Sequence, residues 1–416
     1  MDKEMRNGAI FIVPRSSTEW KGNEAGWITA SGWAGAAAEL WGEALVATTN
    51  GVFSPQESIS FPQNTSVSKG GTTKSKMSVL RKWIPEFLIT AYKDYRLRLS
   101  KPKIWPIEAF LEHQNYDVRM VWERHDLFPG VGRKLARQLK VPFVVSVEAA
   151  VVWEAKKWGV NRPVWGYFLE KFVESASLRS ADLVVCVSEE LRTKVISMGV
   201  SADRVIVSHN RVNTSLFNTL ITGDSIRDKY KLRGKKIIGW TGSFRTFHGL
   251  ESVIKAFARV SNNLDDVVLM LVGDGLEFNK IYSLVEKLDL SKKVVFVGKQ
   301  PFIRVPEYIA SFDIALVSAA SAKGFHYSPL KLREYLACGK PTIVPSAGDL
   351  PSLFTDEKEV LFYVPGDIDD LSCKMEFLLQ NRHIYNTMHE NAVRLSEKEG
   401  SWLHELKRVC EKLNIK

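Results

Sequence analysis

From Lys236 onward, short apolar runs rich in Val and Ile alternate with segments of helical period, and this alternation restricts the chain more than any other feature. The runs are IIGWT (237–241), VVLMLVG (267–273), VVFVG (294–298), DIALVS (313–318), PTIVP (341–345) and VLFYV (360–364). Helical patterns lie between them near Leu250–Val260, Glu277–Leu288, Pro306–Phe312 and Pro329–Ala337. Strands and helices alternating at this spacing fold as a parallel, doubly wound sheet. The expected class is α/β.

The N-terminal half repeats the pattern more loosely, through AIFIV (9–13), ALVATT (44–49), VRMVWE (118–123), PFVVSV (142–147), DLVVCVS (182–188) and RVIVSHN (204–210). With 416 residues, 45% of them hydrophobic, there is apolar material for at least two cores. Two domains are expected, 1–212 and 213–399, separated by a seam near Asn210–Lys231. The helical segment 400–416 is too short to stand alone and is expected to complete the first domain. The Ser-, Thr- and Gly-rich stretch 53–71 reads as an exposed loop.

Several function classes fall away. Cys186, Cys338, Cys373 and Cys410 show no CxxC spacing, so neither a zinc knuckle nor a disulfide framework is indicated. The N-terminus MDKEMRNGAIFIV has acids in its charged stretch and an apolar run too short for a secretory signal, which points to the cytoplasm. The most apolar run, Phe143–Trp153, is interrupted by Glu148, so a membrane span is not expected.

The net charge of +10 calls for an anionic partner. Between Lys69 and Lys103, ten cations (Lys69, Lys74, Lys76, Arg81, Lys82, Lys93, Arg96, Arg98, Lys101, Lys103) face only Glu86 and Asp94. Trp83, Ile84, Phe87, Leu88, Tyr92, Tyr95, Leu97 and Leu99 are interleaved with them around a helix expected to start after Pro85. This is the pattern of a basic helix lying on an anionic membrane surface; a charged helix whose apolar stripe packs on its own domain is the alternative. No nucleic-acid-binding motif can be placed, so nucleic acid is not an expected partner.

In doubly wound sheets, ligands bind at the carboxyl ends of the strands. After IIGWT, the glycines Gly242 and Gly249 surround Ser243, Arg245 and His248 before a helix that starts near Leu250. Glycines admit a close ligand, a helix start offers unpaired N–H groups and a cation neutralises phosphate, so this is a candidate diphosphate site. An ordinary turn with a surface arginine would look the same. After DIALVS, Ser328 can cap a helix that carries Pro329, Leu330, Lys331 and Glu334. There Lys331 could reach a phosphate, and Glu334 could accept both hydroxyls of a ribose. His125 and Glu148 follow strands in the first half, and Trp20, Trp27 and Trp33, near Gly22, Gly26 and Gly32, are either acceptor platforms or core.

The segments GWTGSFRTFHGLESVIKAF, LMLVGDG, VVFVGKQ, VPEYIASFDIALVS and SPLKLREYLACGKPTIV, in this order, resemble family 4 glycosyltransferases of the GT-B fold. The likeness is close over Ile237–Asn391 and loose before it. It implies two Rossmann-like doubly wound domains facing a central cleft, and a retaining, metal-independent transfer from a UDP- or GDP-sugar to a glycan or lipid-linked acceptor. No cofactor is implied.

By that resemblance the donor site comprises Gly242, Ser243, His248, Gly273, Tyr327, Ser328, Pro329, Leu330 and Glu334, with Arg245, Lys331, His326 and His125 in catalytic roles. The family pattern places one glutamate eight residues before another; Glu334 matches the second and His326 stands where the first would be. Likewise His248-Gly249 replaces the usual Lys-Gly pair. Such an enzyme serves polysaccharide or glycolipid synthesis from the cytoplasmic face of the membrane, peripherally attached. A dehydrogenase is disfavoured, because GDG after Val272 is not GxGxxG. Another GT-B enzyme such as an epimerase, or a nucleotide-sugar-binding scaffold without turnover, remains the alternative.

Overall fold

The computed structural model describes residues 6–15, 25–49, 51–59, 84–99, 116–399 and 401–415, together with Ile107 and Leu111. Trp20, Gly22, most of the expected loop 53–71 and the cations Lys69, Lys74, Lys76, Arg81, Lys82, Lys101 and Lys103 lie outside them. The chain divides into two compact units, one of Met1–His209 with Trp402–Lys416 and one of Asn210–Ser401.

The first unit contains β1 (Arg6–Ile12), β2 (Glu43–Thr48), β3 (Gly51–Phe53), β4 (Tyr116–Arg124), β5 (Phe143–Val147), β6 (Leu183–Cys186) and β7 (Val205–Val207). They form one sheet in the order β3-β2-β1-β4-β5-β6-β7, parallel except for β3, which pairs antiparallel with β2. β3 is an edge strand of three residues. Its brevity, at the start of a polar stretch, explains why its sequence reads as loop.

The second unit contains β8 (Lys236–Thr241), β9 (Val267–Val272), β10 (Val294–Gly298), β11 (Ile314–Leu316), β12 (Thr342–Pro345) and β13 (Leu361–Tyr363), in the order β10-β9-β8-β11-β12-β13. All pairings in this sheet are parallel. In each sheet the strand order reverses once, between β1 and β4 and between β8 and β11. Those switch points open a crevice at the carboxyl ends of the strands.

Burial follows the apolar runs. Every residue of β9 and of β12 is buried, as strands covered by helices on both faces require. Helix Leu250–Asn263 turns Val253, Ile254, Phe257 and Val260 onto this sheet. Each such side chain contributes roughly 1.5–3 kcal/mol by leaving water.

In the first unit the helix begins at Ala25 and runs to Trp41, taking in Gly26, Gly32 and Gly35. Trp27 and Trp33 are both buried, and Trp33 packs at 4.4 Å on Trp122 and edge-on at 5.0 Å on Trp402, so both indoles belong to the packed interior. A Cβ on Gly32 would stand 2.4 Å from the Trp402 indole, which is why a glycine sits inside this helix. Packing outweighs the roughly 1 kcal/mol that glycine costs there.

Candidate active site

In the second unit three loops converge at the β8/β11 switch point. Gly242, at φ 144, leaves β8 and is held by its N–H to the Val272 carbonyl at 2.9 Å. Gly273, also at φ 144, leaves β9, and a Cβ there would come within 1.8 Å of the Gly242 carbonyl oxygen. Only glycine tolerates both the conformation and the approach. The loop after β11 joins them through the Ala320 N–H, which donates to Phe247 at 2.9 Å.

Between these loops stands Lys331, on helix Leu330–Ala337. Its Nζ lies 4.0 Å above the centre of the fully buried Trp240 ring and 2.7 Å from where a Gly242 Cβ would be. Among the described residues it has no hydrogen-bond partner. Burial pulls its pKa down to about 7, against a smaller opposing pull from Glu334. Glu334, one turn further along, is pushed up to about 7 by burial, with Lys331 opposing. A buried ammonium without a hydrogen-bond acceptor is unfavourable until an anion supplies one.

His248 closes the turn Thr246–His248, its ring between Trp240 at 5.5 Å and Phe247 at 4.3 Å. Burial first, and then the Lys331 and Arg245 charges, hold its pKa well below the usual histidine range. It is therefore neutral at physiological pH. Arg245 is exposed, on the loop preceding that turn. Tyr327 packs at 5.8 Å on Phe247 and 4.4 Å on Phe325.

Ser328 does not cap the helix. Its hydroxyl accepts the Asn210 N–H at 3.0 Å and its carbonyl accepts the Asn210 amide at 2.7 Å, while Pro329 takes the cap position without a side-chain bond. The first turn, with Leu330 at its start, is thus left to an outside acceptor.

His326 is almost wholly buried, with Nδ1 2.7 Å from the Gly324 carbonyl. A carbonyl only accepts, so Nδ1 donates to it.

The first unit has its own polar cluster past β1, β4 and β5. Arg124 donates to Glu148 at 2.8 and 3.1 Å, Glu148 also accepts the Thr29 hydroxyl, and Arg15 pairs with Asp126 at 2.6 Å. A small cavity lined by Ile12, Thr29, Trp33, Arg124, Ser146 and Glu148 opens there.

His125 is buried, its Nε2 3.0 Å from the fully buried Glu174 carboxylate, which also accepts the N–H groups of Val151 at 2.7 Å and Val152 at 3.1 Å. Nε2 must donate to that carboxylate, so only Nδ1 remains for a ligand. Trp240 and Glu174 were not legible as site residues: one sits inside an apolar run, the other 49 residues from its histidine.

Two family models match the chain: Glycosyltransferase Family 4 over residues 51–216 and Glycosyl transferases group 1 over 223–395. Among solved structures, HepE of Anabaena in complex with UDP-glucose superposes with a TM-score of 0.66, at 16% identity, over 98% of this chain and 99% of that one. The lipopolysaccharide outer core galactosyltransferase WaaB superposes with a TM-score of 0.55, at 14% identity, over 98% and 100%. Two parallel α/β units in this order define the GT-B fold.

The chain belongs to the family 4 glycosyltransferases. It is 27% identical to the N-acetyl-alpha-D-glucosaminyl L-malate synthase of Bacillus anthracis, over 52% of this chain and 61% of that protein. It is 24% identical to the alpha-monoglucosyldiacylglycerol synthase of Streptococcus pneumoniae, over 77% and 72%. The alignments span 61%, 62% and 53% of the first three curated relatives' lengths.

Proposed function

We propose that the protein is a retaining hexosyltransferase that takes a sugar from a UDP-sugar, without a metal ion or cofactor, and passes it to a lipid or lipid-linked acceptor. The observation that carries this reading is the buried Lys331 amine, unbonded above Trp240 and beside a backbone that only glycine can form. A diphosphate supplies the acceptor that this amine lacks. Arg245 and the N–H groups at the start of helix Leu330–Ala337 add to the grip. Glu334 then holds the ribose hydroxyls, and His326 lies beside the transferred sugar.

In this reading the acceptor hydroxyl attacks the anomeric carbon on the face that the diphosphate leaves. The C–O bond to phosphate breaks, the new glycosidic bond forms, and the acceptor proton passes to a departing phosphate oxygen. No protein base is required, and fixed charges do most of the catalysis. UDP is preferred over GDP because HepE superposes in complex with UDP-glucose. A glycolipid-type acceptor is supported by the kinship with a glucosyldiacylglycerol synthase.

No described helix is long and apolar enough to cross a membrane, so attachment would be peripheral, through helix Glu86–Leu99 on the inner leaflet. Incubation with a panel of UDP- and GDP-sugars and diacylglycerol or lipid-linked acceptors tests the reading. Release of UDP with an axial product anomer from an axial donor is expected. Tight nucleotide binding with no turnover would instead make the protein a scaffold, and an inverted product would overturn retention.

A further inference from the structure

Helix Glu86–Leu99 packs the wrong way round for a helix that serves only its own domain. The residues it buries are Thr90 and Asp94, while Phe87, Leu88, Tyr92, Tyr95 and Leu99 are exposed. Asp94 is held inside by Arg162, whose Nε and Nη2 donate to the two carboxylate oxygens at 2.8 and 3.0 Å, and by the Trp165 indole N–H at 3.1 Å. Side-chain exposure of only 10% and 9% shields this ion pair from solvent. Two-pronged and shielded, it fixes the helix with its aromatic side outward.

The partners of Asp94 belong to a second segment with the same character. Residues Trp165–Arg179 form one continuous helical stretch that widens to π geometry over Leu169–Glu174. Tyr167, Phe168 and Phe172 are exposed there, Phe168 lying 5.7 Å from the Tyr167 ring and 6.0 Å from Phe172. Trp158 and Val164, the latter 78% exposed, precede them. Lys93, Arg96, Arg98, Lys156 and Lys171 stand exposed among these groups. Exposed apolar groups on two segments clamped together mark an interaction site, and interleaved cations with aromatics select an anionic apolar interface.

We infer that helix Glu86–Leu99 and the stretch Trp158–Phe172, clamped together by the Asp94–Arg162 pair, form one bipartite surface that docks on a bilayer of acidic phospholipid. The inference rests on the membrane reading of the first helix and extends it to a second element. Aromatic rings enter the headgroup boundary while the ammonium and guanidinium groups meet lipid phosphate. A lipid acceptor would thereby be met at the surface in which it lies.

Flotation with vesicles of phosphatidylcholine, alone or with an equal part of phosphatidylglycerol, separates the possibilities. The wild-type chain is expected to float with the mixed vesicles at low salt, and hardly at all with neutral ones. Phe168→Ser/Phe172→Ser, which alters only exposed side chains, should keep its melting temperature and lose roughly tenfold in partitioning. Lys93→Glu/Arg96→Glu should lose as much.

If the charge-reversed variant detaches while the Phe168/Phe172 variant floats like wild type, the second element is not part of the surface and the inference fails, although the first helix keeps its role. If both variants float unchanged, both membrane readings fall. A fluorophore on Val164→Cys, in a Cys373→Ser background that removes the exposed thiol, gives an independent reading. Its emission should shift to the blue on mixed vesicles, and unchanged emission would overturn the proposal. UDP release from donor alone, measured without vesicles, should be the same in every variant, so that failure of the donor reading is seen separately.

Discussion

Lys331 places a titratable amine where water does not reach, and the consequences are measurable. Its pKa near 7 in the folded chain lies well below the ordinary 10.5, so between these values the unfolded chain binds the extra proton and this group's contribution to stability rises with pH. Glu334, raised to about 7, acts oppositely: between its ordinary 4.5 and 7 the folded chain holds the extra proton, and stability falls as pH rises. A bound diphosphate favours the ammonium form, so donor binding above about pH 7 takes up a proton and weakens as pH rises. Calorimetry of UDP binding in buffers of different ionisation enthalpy checks this; affinity independent of pH would contradict it.

Replacing the amine separates binding from folding. Lys331→Met keeps the apolar stem over Trp240 and removes an unpaired buried charge, so the nucleotide-free protein should melt higher, by a few degrees, while UDP affinity drops. A lower melting temperature with unchanged affinity would assign Lys331 to structure alone. Arg245→Ala removes an exposed cation and should leave melting unchanged. Its turnover should fall at least as far as its donor affinity, by roughly tenfold to a hundredfold, since charge-assisted bonds of about 1.5–3 kcal/mol are at stake. Steady-state kinetics of the purified variant decide this.

The loops between elements carry the geometry. Gly273→Ala would press a methyl group against the Gly242 carbonyl at a φ of 144 that side chains rarely adopt. A loss of at least about 2 kcal/mol is expected, together with loss of nucleotide binding, read from melting with and without UDP. The strands around these loops were legible, because a fully covered parallel strand is apolar throughout and IIGWT or VVLMLVG can hardly be anything else. The Gly242 turn was legible for a related reason: it follows such a strand directly.

What stayed hidden depends on partners distant in sequence. Ser328 looks like a helix cap until Asn210, 118 residues away, takes its hydroxyl. The start of helix Ala25–Trp41 carries Gly26 and Gly32, which weaken any helical signal, and the reason for Gly32 is seen only where Trp402 fills the space beside it. The clamp that holds helix Glu86–Leu99, Arg162 on Asp94, is likewise 68 residues away in sequence.

At the scale of the molecule, the chain leaves its first unit at His209 and returns to it at Trp402. Helix Trp402–Leu413 buries Trp402, Leu406 and Val409 in that unit. Truncation after Ser401 should therefore destabilise the first unit by several kcal/mol and leave the second, with its proposed nucleotide site, folded. Two transitions in calorimetry, the lower one displaced and the UDP-responsive one not, would show it; equal displacement of both would refute it.

The central claim is that fixed protein charges, Lys331 foremost, hold the pyrophosphate of a sugar nucleotide. Its most direct measurement is a calorimetric titration of UDP into the wild-type chain and into Lys331→Met, both in the presence of a chelator. Undiminished binding to the wild type and an affinity reduced at least about tenfold in the variant are expected. Binding that vanishes with the chelator, or that is equal in the two proteins, would contradict it.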